Sequence, residues 1–240
     1  MGEISSRRVA VTGSASGIGA ASVAVLLQQG WQVVCLDRNP ATTAGAILSL
    51  PLDVADEPAV CAAFAHIRQS LGGLDALVTC AGIYETTPFF DTTASTFSRV
   101  LSVNVTGTFL CIREAARLMA SGARICTVSS VAGLRGGGLA GTVSYAATKG
   151  AVLALTKNAA RELGPKGIAV NTVAPGMIDT PFAAVPLSNP ATRQRIEAMI
   201  GFGRLGSAEE IAHTIAWLIS PAASYVHGAT IVADGGMVMY

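Results

Sequence analysis

The sequence predicts an α/β fold: one domain built around a parallel β-sheet with helices on both faces. Three observations carry the prediction. Short apolar runs alternate regularly with longer helical patterns, the order that produces parallel strands joined by crossover helices. The first apolar run opens directly into a glycine-rich turn and then a helix. The 240 residues are 51% hydrophobic and only 13% charged, as expected for strands buried on both faces. That length fits one α/β domain.

The elements follow in order. A first strand is read at 8–12, and the helix 17–29 stops at Gly30. The strand 32–36 runs from Gln32 to Leu36 and ends against Asp37. Further strands are read at 46–50, 74–79, 123–128, 168–173 and 229–232. Further helices are read at 57–71, 95–120, 144–163 and 207–219. No linker or low-complexity tract divides the chain. The stretch 177–203 is the irregular one: it holds Pro181, Pro186 and Pro190, then a short helical segment over about 191–200. By position it is expected to form the substrate lid, with Phe182, Val185, Leu187, Met199 and Phe202 as candidate lining.

The turn after the first strand reads Gly13-Ser14-Ala15-Ser16-Gly17-Ile18-Gly19. Strand, glycine turn and helix is the context in which such a motif binds a dinucleotide. Glycine permits a tight turn and close approach of backbone to a pyrophosphate, while the helix N-terminus offers free N–H groups to the anion. Asp37 lies about 20 residues beyond the loop, where an acid hydrogen-bonds a ribose 2′-hydroxyl and repels a 2′-phosphate. Arg38 follows and would accept that phosphate. The loop carries no basic residue, so NAD is expected in preference to NADP.

Tyr145 and Lys149 stand four residues apart, on one face of the helix 144–163. A free phenol has a pKa of about 10, too high for a base at neutral pH. A neighbouring cation favours the phenolate, so Lys149 is expected to lower the value for Tyr145. Together with the glycine loop, the pair points to a proton donor working beside a dinucleotide.

At this point the chain resembles the short-chain dehydrogenase/reductase family over nearly its whole length. The resemblance rests on Thr12-Gly13-x-x-x-Gly17-Ile18-Gly19, Leu52-Asp53-Val54, Ala81-Gly82, Asn104-Val105-x-Gly107, Val128-Ser129-Ser130, Tyr145-x-x-x-Lys149 and Pro175-Gly176-x-x-x-Thr180. It implies a single Rossmann-type, doubly wound domain with a seven-stranded sheet of order 3-2-1-4-5-6-7. It also implies roles. Tyr145 is the general acid/base, Lys149 lowers its pKa and binds the nicotinamide ribose, and Ser130 orients the substrate oxygen, with Ser129 as the alternative. Asn104 holds a water in the proton relay. Cofactor contacts fall to Gly13, Ser16, Gly17, Ile18 and Gly19, to Asp37 and Arg38, and to Asp53 (at the adenine) and Val54. Ala81, Gly82, Pro175, Gly176, Ile178 and Thr180 complete the set toward the nicotinamide, with Tyr145 and Lys149. The activity implied is reversible hydride transfer between NAD(H) and a secondary alcohol or ketone. A dihydrodiol dehydrogenase and an NADPH-dependent 3-oxoacyl-thioester reductase share the same catalytic set. A homotetramer is implied, with helices 95–120 and 144–163 pairing across symmetry axes.

Three departures from the family pattern are visible. Thr79-Cys80-Ala81-Gly82 stands where Asn-Asn-Ala-Gly is usual. Ser130 lies 15 positions before Tyr145, slightly more than usual, and the extra length falls in 136–141. Only 38–52 connects the second strand to Asp53, so the usual crossover helix is expected to shrink to a turn near 41–44.

Other function classes find little support. A net charge of +1 suggests no nucleic-acid partner. No run of about 18 apolar residues would span a bilayer. Cys35, Cys61, Cys80, Cys111 and Cys126 form no Cys-x-x-Cys pair, and His66, His213 and His227 show no ligand spacing, so no metal site is expected. A reducing, cytoplasmic setting is expected for such cysteines. Arg135, Arg193 and Arg195 are left open between solvated surface residues and contacts to an anionic substrate group.

Overall fold

The computed structural model describes residues 7–39, 44–137 and 143–239, with the side chains of Val185 and Pro186 excepted. Seven strands form one parallel sheet: β1 (Arg8–Thr12), β2 (Gln32–Asp37), β3 (Leu48–Pro51), β4 (Leu74–Thr79), β5 (Met119–Val128), β6 (Ala169–Pro175) and β9 (Thr230–Ala233). Their order is β3-β2-β1-β4-β5-β6-β9, the doubly wound order expected. Two short strands, β7 (Ile178–Asp179) and β8 (Gly206–Ser207), pair separately. The turn expected near 41–44 falls largely outside the described residues.

Strand side chains alternate between two cores, following the two-residue period of the pleat. Ala10, Val34, Leu36, Leu77 and Ile125 enter one. There they meet Phe64 and Ile67 of α2 (Glu57–Leu71), Leu110 of α4 (Gly107–Ala116) and Ala159 of α6 (Val143–Leu163). Val9, Val11, Val33, Cys35, Val78 and Cys126 enter the other, against Val23 and Leu26 of α1 (Gly17–Gln28) and Ile211 and Ile215 of α9 (Ala208–Leu218). With helices on both faces, every central strand is buried, and ligand must enter where the strands end. Among the described residues no helix is long and apolar enough to cross a membrane.

One predicted element divides. The helix expected over 95–120 becomes α3 (Ala94–Leu101), a π-helical turn (Ser102–Thr106) and α4, and it ends at Ala116. Leu118, Met119 and Ala120 favour helix by propensity. Pairing wins: Met119 registers with Leu74 of β4 before a shift in register between Leu74 and Ala76. The π turn, a feature concentrated at functional sites, holds Asn104.

Thr79 closes β4 where the family pattern has asparagine. Its Oγ1 is buried and finds no hydrogen-bond partner among the described residues. An unsatisfied buried hydroxyl costs about 1–3 kcal/mol, and valine has the same shape without it. Thr79→Val is therefore expected to stabilise the fold by about 1 kcal/mol, read as a higher urea midpoint at unchanged m-value.

Candidate active site

The glycine loop is built for backbone approach. Gly13 has φ +66°, and a Cβ there would sit 2.7 Å from the Ala81 nitrogen. A Cβ on Gly19 would strike the Gly13 carbonyl. Ser16, the N-cap of α1, makes no side-chain capping bond, and the first turn carries no acid. The N–H groups of that turn are thus free of side-chain caps, and the helix dipole favours an anion there. This fits a pyrophosphate. The loop borders a cavity of about 540 Å³ whose walls include Gly13, Ser16, Gly17, Ile18 and Gly19.

Asp37 ends β2 on the same cavity, with Arg38 beside it. Its Oδ2 accepts from Ala15 N at 3.1 Å and its Oδ1 from Asn39 N at 3.1 Å. Those two bonds fix the carboxylate at the loop and leave lone pairs for a diol. Asp53 and Val54 also line this end. Gly107 permits it: a Cβ on Gly107 would meet Val54 Cγ2 at 2.6 Å. The cavity then passes Ala81 and Gly82 and reaches Pro175, Gly176, Ile178 and Thr180 on the far side. Ala81 is held by its N–H donating to Thr12 Oγ1 at 3.2 Å.

At the inner end stand Ser130, Tyr145 and Lys149, all on the cavity wall. Ser130 is the N-cap of α5 (Val131–Arg135), its Oγ accepting from Ala132 N at 3.1 Å. Its hydroxyl also stands close enough to the Tyr145 phenol to favour the phenolate. Ser129 points elsewhere, donating to the Lys149 carbonyl at 2.8 Å and so tying β5 to α6. Gly133 lets α5 press against α6, since a Cβ there would lie 2.6 Å from the Gly150 nitrogen. The serine and the tyrosine therefore face one another because two helices touch through glycine.

Lys149 is 6% exposed, and its Nζ donates to the Val128 carbonyl at 2.7 Å and lies 5.6 Å from the Tyr145 ring centre. Burial pulls its pKa down to about 8. Tyr145 departs from expectation. Burial pushes its phenol up to about 12, with the Ser130 hydroxyl pulling the other way. Desolvation disfavours both charged forms at once, so the protein alone holds a phenol beside a weakened ammonium rather than a phenolate. Cys80, where the family has asparagine, is a thiol pushed up to about 12 by burial and adds no charge.

Asn104 stands behind the cavity wall rather than in it. Its Oδ1 accepts from Ile83 N at 2.8 Å, while its Nδ2 donates to Ile83 O at 2.8 Å and to Thr148 Oγ1 at 3.0 Å. It clamps the chain after β4 onto α6 beside Lys149.

The stretch 177–203 only partly lines the cavity. Phe182 does, with Met177, Ile178, Thr180 and Ala183. Leu187 packs inward with Ile196 and Ile200 instead, and Met199 and Phe202 face outward. A short helix α7 (Ala184–Leu187) precedes α8 (Pro190–Glu197), which covers 190–197 rather than 191–200, and Val185 lies outside the described side chains. Among the lining residues that escaped sequence reasoning are Tyr84 and Met237. Tyr84 packs on Phe182 with ring centres 4.5 Å apart, and both flank Tyr145, at 6.3 and 5.8 Å. Met237 reaches the cavity from the C-terminal tail, which Asp234 folds by accepting from the N–H groups of Gly236 and Val238. Neither residue belongs to a local motif. Among the described residues no cluster of His, Cys, Asp or Glu would hold a metal.

Comparison with known proteins agrees with this geometry. A family model described as enoyl-(acyl carrier protein) reductase matches residues 13–238. The chain is 40% identical to the cis-4-hydroxycyclohexanecarboxylate dehydrogenase of Sinomonas cyclohexanicum, covering 98% of each protein. It is 34% identical to the 3-oxoacyl-(acyl-carrier-protein) reductase of Aquifex aeolicus, covering 95% of each. A crystal structure from Brucella melitensis, titled a short-chain dehydrogenase/reductase of the glucose/ribitol dehydrogenase kind, superposes with a TM-score of 0.90 at 32% identity, covering 98% of this chain and 97% of that one. Proteins of this kind are oxidoreductases that use a nicotinamide cofactor, and this chain belongs with them to the short-chain dehydrogenase/reductase family.

Proposed function

We propose that this protein catalyses reversible hydride transfer between NAD(H) and a secondary alcohol or ketone. The observation that carries the reading is the meeting of Ser130, Tyr145 and Lys149 at the inner end of a cavity whose outer end is the uncapped glycine-loop helix. The loop and α1 would hold the pyrophosphate, Asp37 and Asp53 the adenosine, and Lys149 with 175–180 the nicotinamide riboside. When bound, the nicotinamide supplies the hydride acceptor or donor. The chain supplies the proton and the position. Tyr145 Oη gives a proton to the carbonyl oxygen in reduction and takes it from the hydroxyl in oxidation. Ser130 Oγ holds the same oxygen. Asn104 keeps Ile83 and Thr148 in place and, as the family resemblance implies, would take a relay water on its Oδ1. The aromatic flanks, Tyr84 and Phe182, favour a compact apolar substrate, and the likeness to a dehydrogenase of a hydroxycyclohexane acid supports a cyclic alcohol. Residues 177–203 act as the lid.

Leu101 and Phe109, large side chains left partly exposed on α3 and α4, support a homotetramer paired through that face. The five free cysteines support a cytoplasmic setting.

The test is nicotinamide absorbance during turnover, NAD+ against NADP+, over a panel of cyclic and acyclic secondary alcohols and diols. Like-charge juxtaposition costs several kcal/mol, so the fixed Asp37 carboxylate is expected to favour NAD+ by at least about 100-fold in kcat/KM. An NADP+ preference would mean that Arg38 overrides Asp37, and would move the thioester reductase reading to first place.

A further inference from the structure

Four cationic side chains line the cavity, and two of them have a visible partner. Lys149 donates to the Val128 carbonyl and Arg99 is paired with Glu85, while Arg38 makes no hydrogen bond or ion pair among the described residues but stands beside Asp37 at the adenosine end. Arg135 is the fourth. Among the described residues it makes no hydrogen bond or ion pair. Of the other two arginines the sequence left open, Arg193 is held by Asp179 and Glu197, and Arg195, exposed like Arg135, lies off the cavity wall.

Its placement is specific. Arg135 is the last residue of α5, the helix that Ser130 caps. A helix advances about 1.5 Å per residue, so the Arg135 backbone stands about 7–8 Å along the axis from Ser130. That separation suits a substrate one ring wide, with its reacting oxygen on Ser130 and Tyr145 and a second substituent at the far side of the ring. Val131 also lines the cavity, as do Tyr84 and Phe182, whose rings flank Tyr145. The acids on the cavity wall, Asp37 and Asp53, lie at the opposite end and would not repel an anion here.

We propose that Arg135 determines specificity by binding a carboxylate, so that the substrate is a hydroxy acid (or, in reduction, the corresponding oxo acid) with its charge a ring's width from the reacting carbon. This rests on the secondary-alcohol reading above. A guanidinium takes a carboxylate through two parallel hydrogen bonds, which fixes orientation as well as affinity.

The experiment compares 4-hydroxycyclohexanecarboxylate with its neutral carboxamide, using NAD+ and steady-state kinetics, in the wild type and in Arg135→Gln and Arg135→Lys. The ratio of kcat/KM for acid over amide is the readout. A hydrogen bond to a charged group is worth about 1.5–3 kcal/mol, so Arg135→Gln is expected to shrink that ratio by about 10- to 100-fold, chiefly through KM for the acid. Arg135→Lys is expected to restore part of it. An unchanged ratio in Arg135→Gln, with both compounds turned over, would overturn the carboxylate assignment and leave the alcohol dehydrogenase reading intact. Turnover of neither compound by a wild type that oxidises simple secondary alcohols would likewise overturn it. Inactivity toward every alcohol would remove the underlying reading as well.

Discussion

Tyr145→Phe is expected to lower kcat by about 10²- to 10⁴-fold, the range that a positioned acid or base contributes, while NADH affinity stays within about threefold. The substitution deletes one oxygen. The ring contacts with Tyr84 and Phe182 do not depend on it, and the Ser130 Oγ keeps its bond to Ala132 N. The glycine loop and Asp37 lie at the other end of the cavity, so the nucleotide half of the site has no reason to change. A loss confined to turnover identifies an interaction made only in the transition state. The check pairs single-turnover absorbance with a fluorescence titration of NADH. Near-normal turnover would remove Tyr145 from the mechanism. Equal losses of turnover and NADH binding would instead make it a structural residue of the cofactor pocket.

The parts of this site that the sequence made legible are those whose function is local. Gly13, Gly17 and Gly19 act through backbone geometry within one turn, and Asp37 acts from the residue that ends a strand. Tyr145 and Lys149 act from one face of one helix. Each carries its own spacing signal, and strand ends in a doubly wound sheet gather such signals at one edge. Tyr84 and Met237 carry no such signal, because one lies in an irregular segment after β4 and the other in a tail folded by Asp234. The lid shows the same limit. Its apolar residues could be recognised as apolar, but whether Leu187 lines a cavity or packs on Ile196 depends on the pitch of helices that the prolines only bound. The helix expected over 95–120 stops short where propensity and strand pairing conflict, at 118–120, and the π turn that sets Asn104 has no sequence rule behind it. The electrostatic expectation failed for a physical reason too. Four-residue spacing puts a cation near the phenol, but only burial decides which effect wins, and here desolvation acts on both groups.

That desolvation has a measurable consequence. Lys149→Met is expected to abolish detectable turnover and yet to stabilise the fold by about 1–2 kcal/mol at pH 7. The lysine is 6% exposed, and burial brings its pKa from 10.5 down to about 8. A displacement of that size corresponds to about 3 kcal/mol of unfavourable charge burial at pH values where both states are protonated. Methionine has similar length and no charge to desolvate. Its cost is the Val128 carbonyl, which loses the Nζ donor, at about 1–2 kcal/mol. The pH dependence separates this account from simple repacking. Between pH 8 and 10.5 the unfolded lysine is protonated and the folded one is not, so the unfolded state binds more protons and wild-type stability rises with pH. The methionine variant lacks that contribution. Its advantage is therefore full below pH 8, shrinks through the window and disappears or reverses by about pH 10.5. Tyr145 titrates in both proteins and largely cancels in the difference. Urea unfolding of both proteins at pH 7 and pH 10 measures it. A variant less stable than wild type at pH 7, by a margin that does not move with pH, would show that the Lys149 charge carries no penalty in this site. A stabilised but inactive variant would show that the fold tolerates a buried cation at its own expense, as sites selected for chemistry rather than stability do.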